Sequence, residues 1–155
     1  MKKQNKNRSF VYNDLGFPIK LINVPTKIVF GETVLDINLG KFQRNVLHAL
    51  VYKSQPLTAL EIRFIRKYFE LTTTTFGQAF GVTHAAVLKW ESGQGRIPPT
   101  TELCVRLFVL DRLSAKNEEF GKFYHKITIQ SLLQQQKNEQ NSLLEFDVNQ
   151  KLAFA

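Results

Sequence analysis

The chain has 155 residues, 43% of them hydrophobic, enough for one compact domain or a small domain with extensions. Its formal net charge of +8 favours a polyanionic partner, nucleic acid first and an anionic membrane second. The only cysteine, Cys104, excludes an intramolecular disulfide and a multi-cysteine zinc site, and no apolar run reaches the length of a membrane span.

The first nine residues carry four Lys or Arg and no acid. No apolar segment follows them, so a signal peptide is not expected and a reducing cytosol is. The plain reading is a solubilising, flexible tail; the sharper one is an arm that touches DNA phosphates or a minor groove. From Phe10 to Asp36 short apolar runs are broken by Gly and Pro. Phe17 to Val24 and Lys27 to Phe30 read as strands, with Pro25-Thr26 between them and Gly31-Glu32 as the next turn. Such a hairpin or small sheet is marginal alone and must pack on something. After Asn38, the spacing of Phe42, Val46, Leu47, Leu50 and Val51 predicts a helix that ends before Ser54-Gln55-Pro56. Asp14, Glu32 and Asp36 are scattered in turns, and His48 has no second ligand at a metal-binding spacing, so neither catalysis nor metal binding is read here.

Thr58-Ala59-Leu60-Glu61 is a capping box that opens a second helix, with Ile62, Ile65, Tyr68 and Phe69 inward. Four threonines, Thr72 to Thr75, have poor helix propensity but good capping chemistry, which predicts a short helix from about Thr74 to Phe80. Gly77 lies inside it, where another helix could approach closely. Gly81 allows a tight turn, and Thr83 caps the next helix. In that helix Ala86, Val87 and Trp90 share one buried face by their spacing, leaving His84, Ala85, Leu88 and Lys89 on the other. Gly93 ends it. A short helix with an apolar back and a cationic front suits insertion into a DNA major groove. After the loop Gly95 to Pro99, Thr100-Thr101 caps a further helix through Arg112, with Leu103, Leu107, Leu110 and Cys104 inward. Cys104 reads as a small buried hydrophobe, since no His or Asp motif accompanies it.

Residues 58 to 112 resemble the Cro/C1-type (XRE-family) helix-turn-helix of phage repressors and bacterial regulators. The matching positions are Leu71, Phe76, Gly77, Gly81-Val82-Thr83, Val87, Trp90-Glu91, Gly93 and Pro98. The string from Leu57 to Lys67 is similar to a narrower bacterial group that includes the MqsA-like antitoxins, whose zinc ligands this chain lacks. Two positions depart from the pattern: Thr73 stands where Gln is frequent, and Gly77 where Ala is usual.

The resemblance implies that His84, Ala85 and Lys89 face base edges, whereas Thr73, Thr83, Gln94 and Arg96 contact phosphates. It also implies that Arg66 pairs with Glu91, a structural tie. The expected fold is mainly α: a lambda-repressor-like helix-turn-helix bundle with a small N-terminal β element and a helical C-terminal extension. The expected divisions are a basic tail at 1–9, a β hairpin plus helix at 10–56, the DNA-binding domain at 57–113, and a C-terminal helix and short hairpin at 114–155. In that last part Phe120, Phe123, Tyr124, Ile127 and Leu132 make an apolar stripe, residues 134–141 a polar linker, and 143–148 with 151–155 a hairpin. Acids and bases balance there, which fits a protein contact better than DNA.

The resulting expectation is a cytoplasmic, nucleoid-associated bacterial transcription regulator, a repressor without cofactor or metal, binding double-stranded DNA as a homodimer. The alternative is an antitoxin-like protein that binds a partner protein and autoregulates through the same motif. No nucleophile–base pair, metal cluster or phosphate loop points to an enzyme.

Overall fold

The computed structural model describes residues 9–113, 122–123, 127, 132, 134 and 143–148. The basic tail 1–8, most of the expected C-terminal helix and linker, and 151–155 lie outside the described residues. The chain divides into two compact units, Met1–Val46 with Ser142–Ala155, and Leu47–Asn141.

In the first unit, β1 (Phe10–Tyr12), β2 (Ile19–Ile22) and β5 (Leu144–Asp147) form one sheet in the order β1-β2-β5. β1 runs antiparallel to β2, with Val11 opposite Lys20. β5 pairs with β2 in parallel, with Leu21 opposite Phe146. The alternation along β2 buries Ile19 and Leu21 completely and leaves Lys20 and Ile22 on the other face. Phe42 joins them beneath the sheet, edge-on to Tyr12 at 5.5 Å and to Phe146 at 5.7 Å. Leu144–Asp147 thus finds a partner at the other end of the chain, while the second strand of the expected C-terminal hairpin, 151–155, lies outside the described residues. Lys20 to Glu145 at 2.8 Å and Asn23 to Asp147 at 3.1 Å secure the register.

β3 (Thr26–Val29) and β4 (Glu32–Leu35) make a separate two-stranded hairpin. Its turn residues Phe30 and Gly31 both have positive φ, 51° and 84°, as a two-residue turn matching the strand twist requires. β3 is exposed throughout.

The helix α1 (Leu39–Val51) spans the division between the units. Asn38 accepts a bond from the Lys41 amide at 2.9 Å and starts it. The second unit continues with α2 (Ala59–Tyr68), α3 (Thr73–Ala79), α4 (His84–Glu91) and α5 (Pro99–Arg112). Its core includes Leu50, Ile62, Ile65, Phe76, Val87, Trp90, Val105 and Val109. Phe123, Ile127 and Leu132, from the expected C-terminal stripe, are buried as well; the rest of that stripe lies outside the described residues.

The expectation of a mainly α, lambda-repressor-like bundle is corrected. Helices hold 48% and strands 16% of the described residues, in five helices and two small sheets, which is an α/β fold. The physical reason is β5: a strand remote in sequence completes a sheet that a hairpin reading of each end treats as two minor ornaments.

Two charged pairs lie inside the second unit, where apolar patterning leaves no place for them. The Arg106 guanidinium is fully buried and donates to the carbonyls of Leu50, Val51, Lys53 and Gln55. These are the end of α1 and the segment after it, so Arg106 satisfies carbonyls that a helix terminus leaves without partners. Glu102 accepts from Arg106 at 2.7 Å and from the Leu57 amide at 3.0 Å. Lys53 and Glu61 pair at 2.9 Å, and Glu61 closes the capping box by accepting from the Thr58 amide at 2.8 Å. These bonds fix the 50–61 segment onto α5. They also turn α5 relative to expectation: Glu102, Val105, Arg106 and Val109 face inward beside Leu110, which is buried as expected, whereas Leu103 and Leu107 are half-buried and Cys104 is exposed. The helix starts at Pro99, with Pro98 as its cap, instead of at the two threonines.

Candidate nucleic-acid interface

α3 and α4 are joined by a turn of four residues, Phe80 to Thr83, whose shape follows from local chemistry. Thr72 caps α3, its hydroxyl accepting from the Thr75 amide at 3.1 Å. Thr73 is thereby the first helical residue instead of lying before the helix. Gly81 takes φ 67°, and the Val82 amide returns to the Gly77 carbonyl at 2.9 Å. Gly77 is needed there because a Cβ would lie 2.6 Å from the Val82 carbonyl oxygen. The close neighbour is the turn backbone, where the sequence pointed to another helix. Thr83 then caps α4, accepting from the Ala86 amide at 3.2 Å. Gly93, at φ 74°, ends it, and the amides of Gln94 and Gly95 both bond the Lys89 carbonyl.

The eight residues of α4 segregate by face. Val87, Trp90 and Glu91 are buried, and Ala86 is half-buried. His84, Ala85, Leu88 and Lys89 are exposed. Thr83 is exposed at the N-terminus, and its hydroxyl keeps a proton to donate while its oxygen caps the helix. Gln94 and Arg96 are exposed in the loop beyond the C-terminus, and Thr73 is half-exposed at the start of α3. The structure thus gathers His84, Ala85 and Lys89 on one helical face. Thr83, Gln94 and Arg96 lie at or beyond the ends of the same helix.

The orientation of α4 is set from α2. Arg66 grips the Glu91 carboxylate with two bonds, Nε to Oε1 at 2.6 Å and Nη2 to Oε2 at 2.8 Å. A third donor, Nη1, reaches the Leu71 carbonyl at 2.8 Å. Arg63 adds Nη2 to the Glu91 carbonyl at 3.1 Å. The bond to Glu91 pushes the Arg66 guanidinium above its already high ordinary pKa, against the burial that lowers it. A forked guanidinium on a carboxylate fixes angle as well as distance, so α4 is held in one orientation on α2.

No family model, curated protein or solved structure matches this chain.

Geometry and charge on α4 therefore carry the functional reading. Among the described residues, no group of His, Cys, Asp and Glu side chains is placed to hold a metal ion, and no helix is long and apolar enough to cross a membrane. Sequence patterning missed the Glu102–Arg106 pair. Its i,i+4 spacing is visible in the chain, but that spacing is equally common on solvated helix faces.

Proposed function

We propose that this protein binds double-stranded DNA sequence-specifically and regulates transcription as a repressor of the XRE helix-turn-helix type. In this reading α4 lies in the major groove. The supporting observation is its division of faces: a dry back fixed by Val87, Trp90 and the Glu91–Arg66 fork, and a front of His84, Ala85 and Lys89 in solvent. Lys89 donates to guanine O6 and N7, His84 donates or accepts, and the Ala85 methyl contacts a thymine methyl. Thr73, Thr83, Gln94 and Arg96 contact phosphates and set the register. The overall charge of +8 raises association with the polyanion. One eight-residue helix spans few base pairs, so the protein acts as a homodimer on two half-sites. It works in the bacterial cytoplasm, at the nucleoid, without cofactor or metal, and is not an enzyme.

Selection from a random duplex pool with the purified protein tests this reading. A preferred sequence should emerge, and Lys89→Ala should relax one base position at a cost of about 1–3 kcal/mol. Recovery of no preferred sequence rejects it.

A second reading has its own observation. Among the described residues, seven of the nine exposed large hydrophobic side chains, including Phe10, Ile28 and Phe30, belong to the first unit. Exposed apolar surface favours a protein partner, as in an antitoxin-like protein that autoregulates through α4. Co-purification of a small partner from the native host supports that reading, and a lone protein that represses its own promoter supports the first.

A further inference from the structure

We propose that Leu88 is a further base-reading residue of α4, packing on the 5-methyl group of a thymine in the bound duplex. This rests on α4 being the major-groove helix. Leu88 is 51% exposed in the middle of a helix that buries Val87 and Trp90 on its other side. It stands one turn beyond His84 and Ala85, at i+4 and i+3, and next to Lys89 in sequence. Ala85 and Leu88 therefore make an apolar strip with His84 and Lys89 at its borders.

The chemistry of the groove leaves such a strip one match. Thymine alone presents a methyl at its major-groove edge; cytosine has only a hydrogen at the same carbon, and guanine and adenine present mainly polar atoms there. An aliphatic side chain pressed against any other base desolvates donors or acceptors without bonding them. Leu88 therefore selects for thymine and against the other three bases. Consecutive helix residues rise by about 1.5 Å and stacked base pairs by about 3.4 Å. The thymine accordingly lies within about one step of the guanine that Lys89 reads. Ala85 is too short to fill that space alone, which is why a second, longer apolar residue on the strip adds discrimination.

The test uses the full chain and its selected duplex, with each thymine replaced in turn by deoxyuridine, which removes only the methyl. Binding is followed by fluorescence anisotropy for the wild type and Leu88→Ala. Losing one buried methyl, about 0.8 kcal/mol, corresponds to about a fourfold weaker Kd per half-site. At one thymine per half-site the wild type should show that loss. Leu88→Ala should bind the thymine duplex no better than the wild type binds the uracil duplex, and should be indifferent to uracil at that position. Its melting temperature should stay at the wild-type value, because the side chain is exposed. Wild-type binding indifferent to uracil everywhere overturns the proposal while leaving the major-groove reading intact, provided Lys89→Ala still relaxes selectivity. A Leu88→Ala variant still as sensitive as the wild type to uracil at that same position assigns the methyl to Ala85 and also overturns it. Failure of the wild type to prefer any duplex removes both.

Discussion

Replacing Glu91 by Ala removes the carboxylate that orients α4, and the structure gives the size of the loss. The Glu91 side chain is 3% exposed and that of Arg66 13%, so the pair is nearly dry. Breaking a buried pair by deleting one partner costs about 3–5 kcal/mol, because the remaining charge stays buried without compensation. Arg66 retains some solvent access and its bond to the Leu71 carbonyl, which lowers the expected cost to about 2–4 kcal/mol. For a chain of this size that is a fall in Tm of roughly 4–16 °C. Arg66→Ala should cost less than Glu91→Ala. Arg63 Nε already lies 3.5 Å from the Glu91 carboxylate and can move in to take over the charge. The double variant should lose less than the sum of the two, with a coupling of about 1–3 kcal/mol. Trp90, the chain's single tryptophan, is adjacent and 6% exposed, so its fluorescence reports directly on the seating of α4. Thermal melts followed by circular dichroism and by Trp90 emission measure both effects without DNA. A Glu91→Ala melt that coincides with the wild type, or additive losses in the cycle, would refute the claim that this fork holds α4.

Gly77→Ala improves helix propensity by about 1 kcal/mol, yet its Cβ would meet the Val82 carbonyl at 2.6 Å. The clash costs typically 1–3 kcal/mol, so urea unfolding should show a net loss or no gain, and clear stabilisation would contradict the turn geometry. Burial pushes the Glu102 carboxyl above its ordinary pKa, despite the opposing pull of Arg106. The folded carboxyl then holds its proton more tightly than the unfolded one, so its contribution to stability grows as pH falls through the interval between those two values. The wild-type Tm should therefore gain on that of Glu102→Gln as the pH is lowered from above the folded value toward the ordinary carboxyl value, and a constant difference would reject the shift. Arg96→Ala should weaken all duplexes alike and reduce the log–log salt slope by about 1 per half-site, measured by titration at several salt concentrations. The selected site should be an inverted repeat with half-sites roughly 10 base pairs apart, and sedimentation should find two protomers on it.

What the chain determined by itself is local. The Thr58–Glu61 box, the Thr83 cap and the positive φ of Gly81 and Gly93 depend on residues within one helical turn, and all appear where the sequence placed them. The faces of α4 follow from the same logic, because a 3.6-residue period needs no knowledge of the partner. Tertiary structure decided the rest. That β5 joins β2 in parallel is a pairing between strands more than a hundred residues apart, and a strand's own pattern does not name its neighbour. On α5, apolar periodicity selected Leu103, Leu107, Leu110 and Cys104 for the core, and only Leu110 of these is buried, because the open carbonyls at the end of α1 needed donors. Arg106 supplies them, Glu102 balances its charge, and the helix turns Cys104 into solvent to bring both inside. The demand that every buried polar group find a partner is met only when the chain is folded. That is why apolar periodicity gives these two charges no place in the core, although both are interior in the protein.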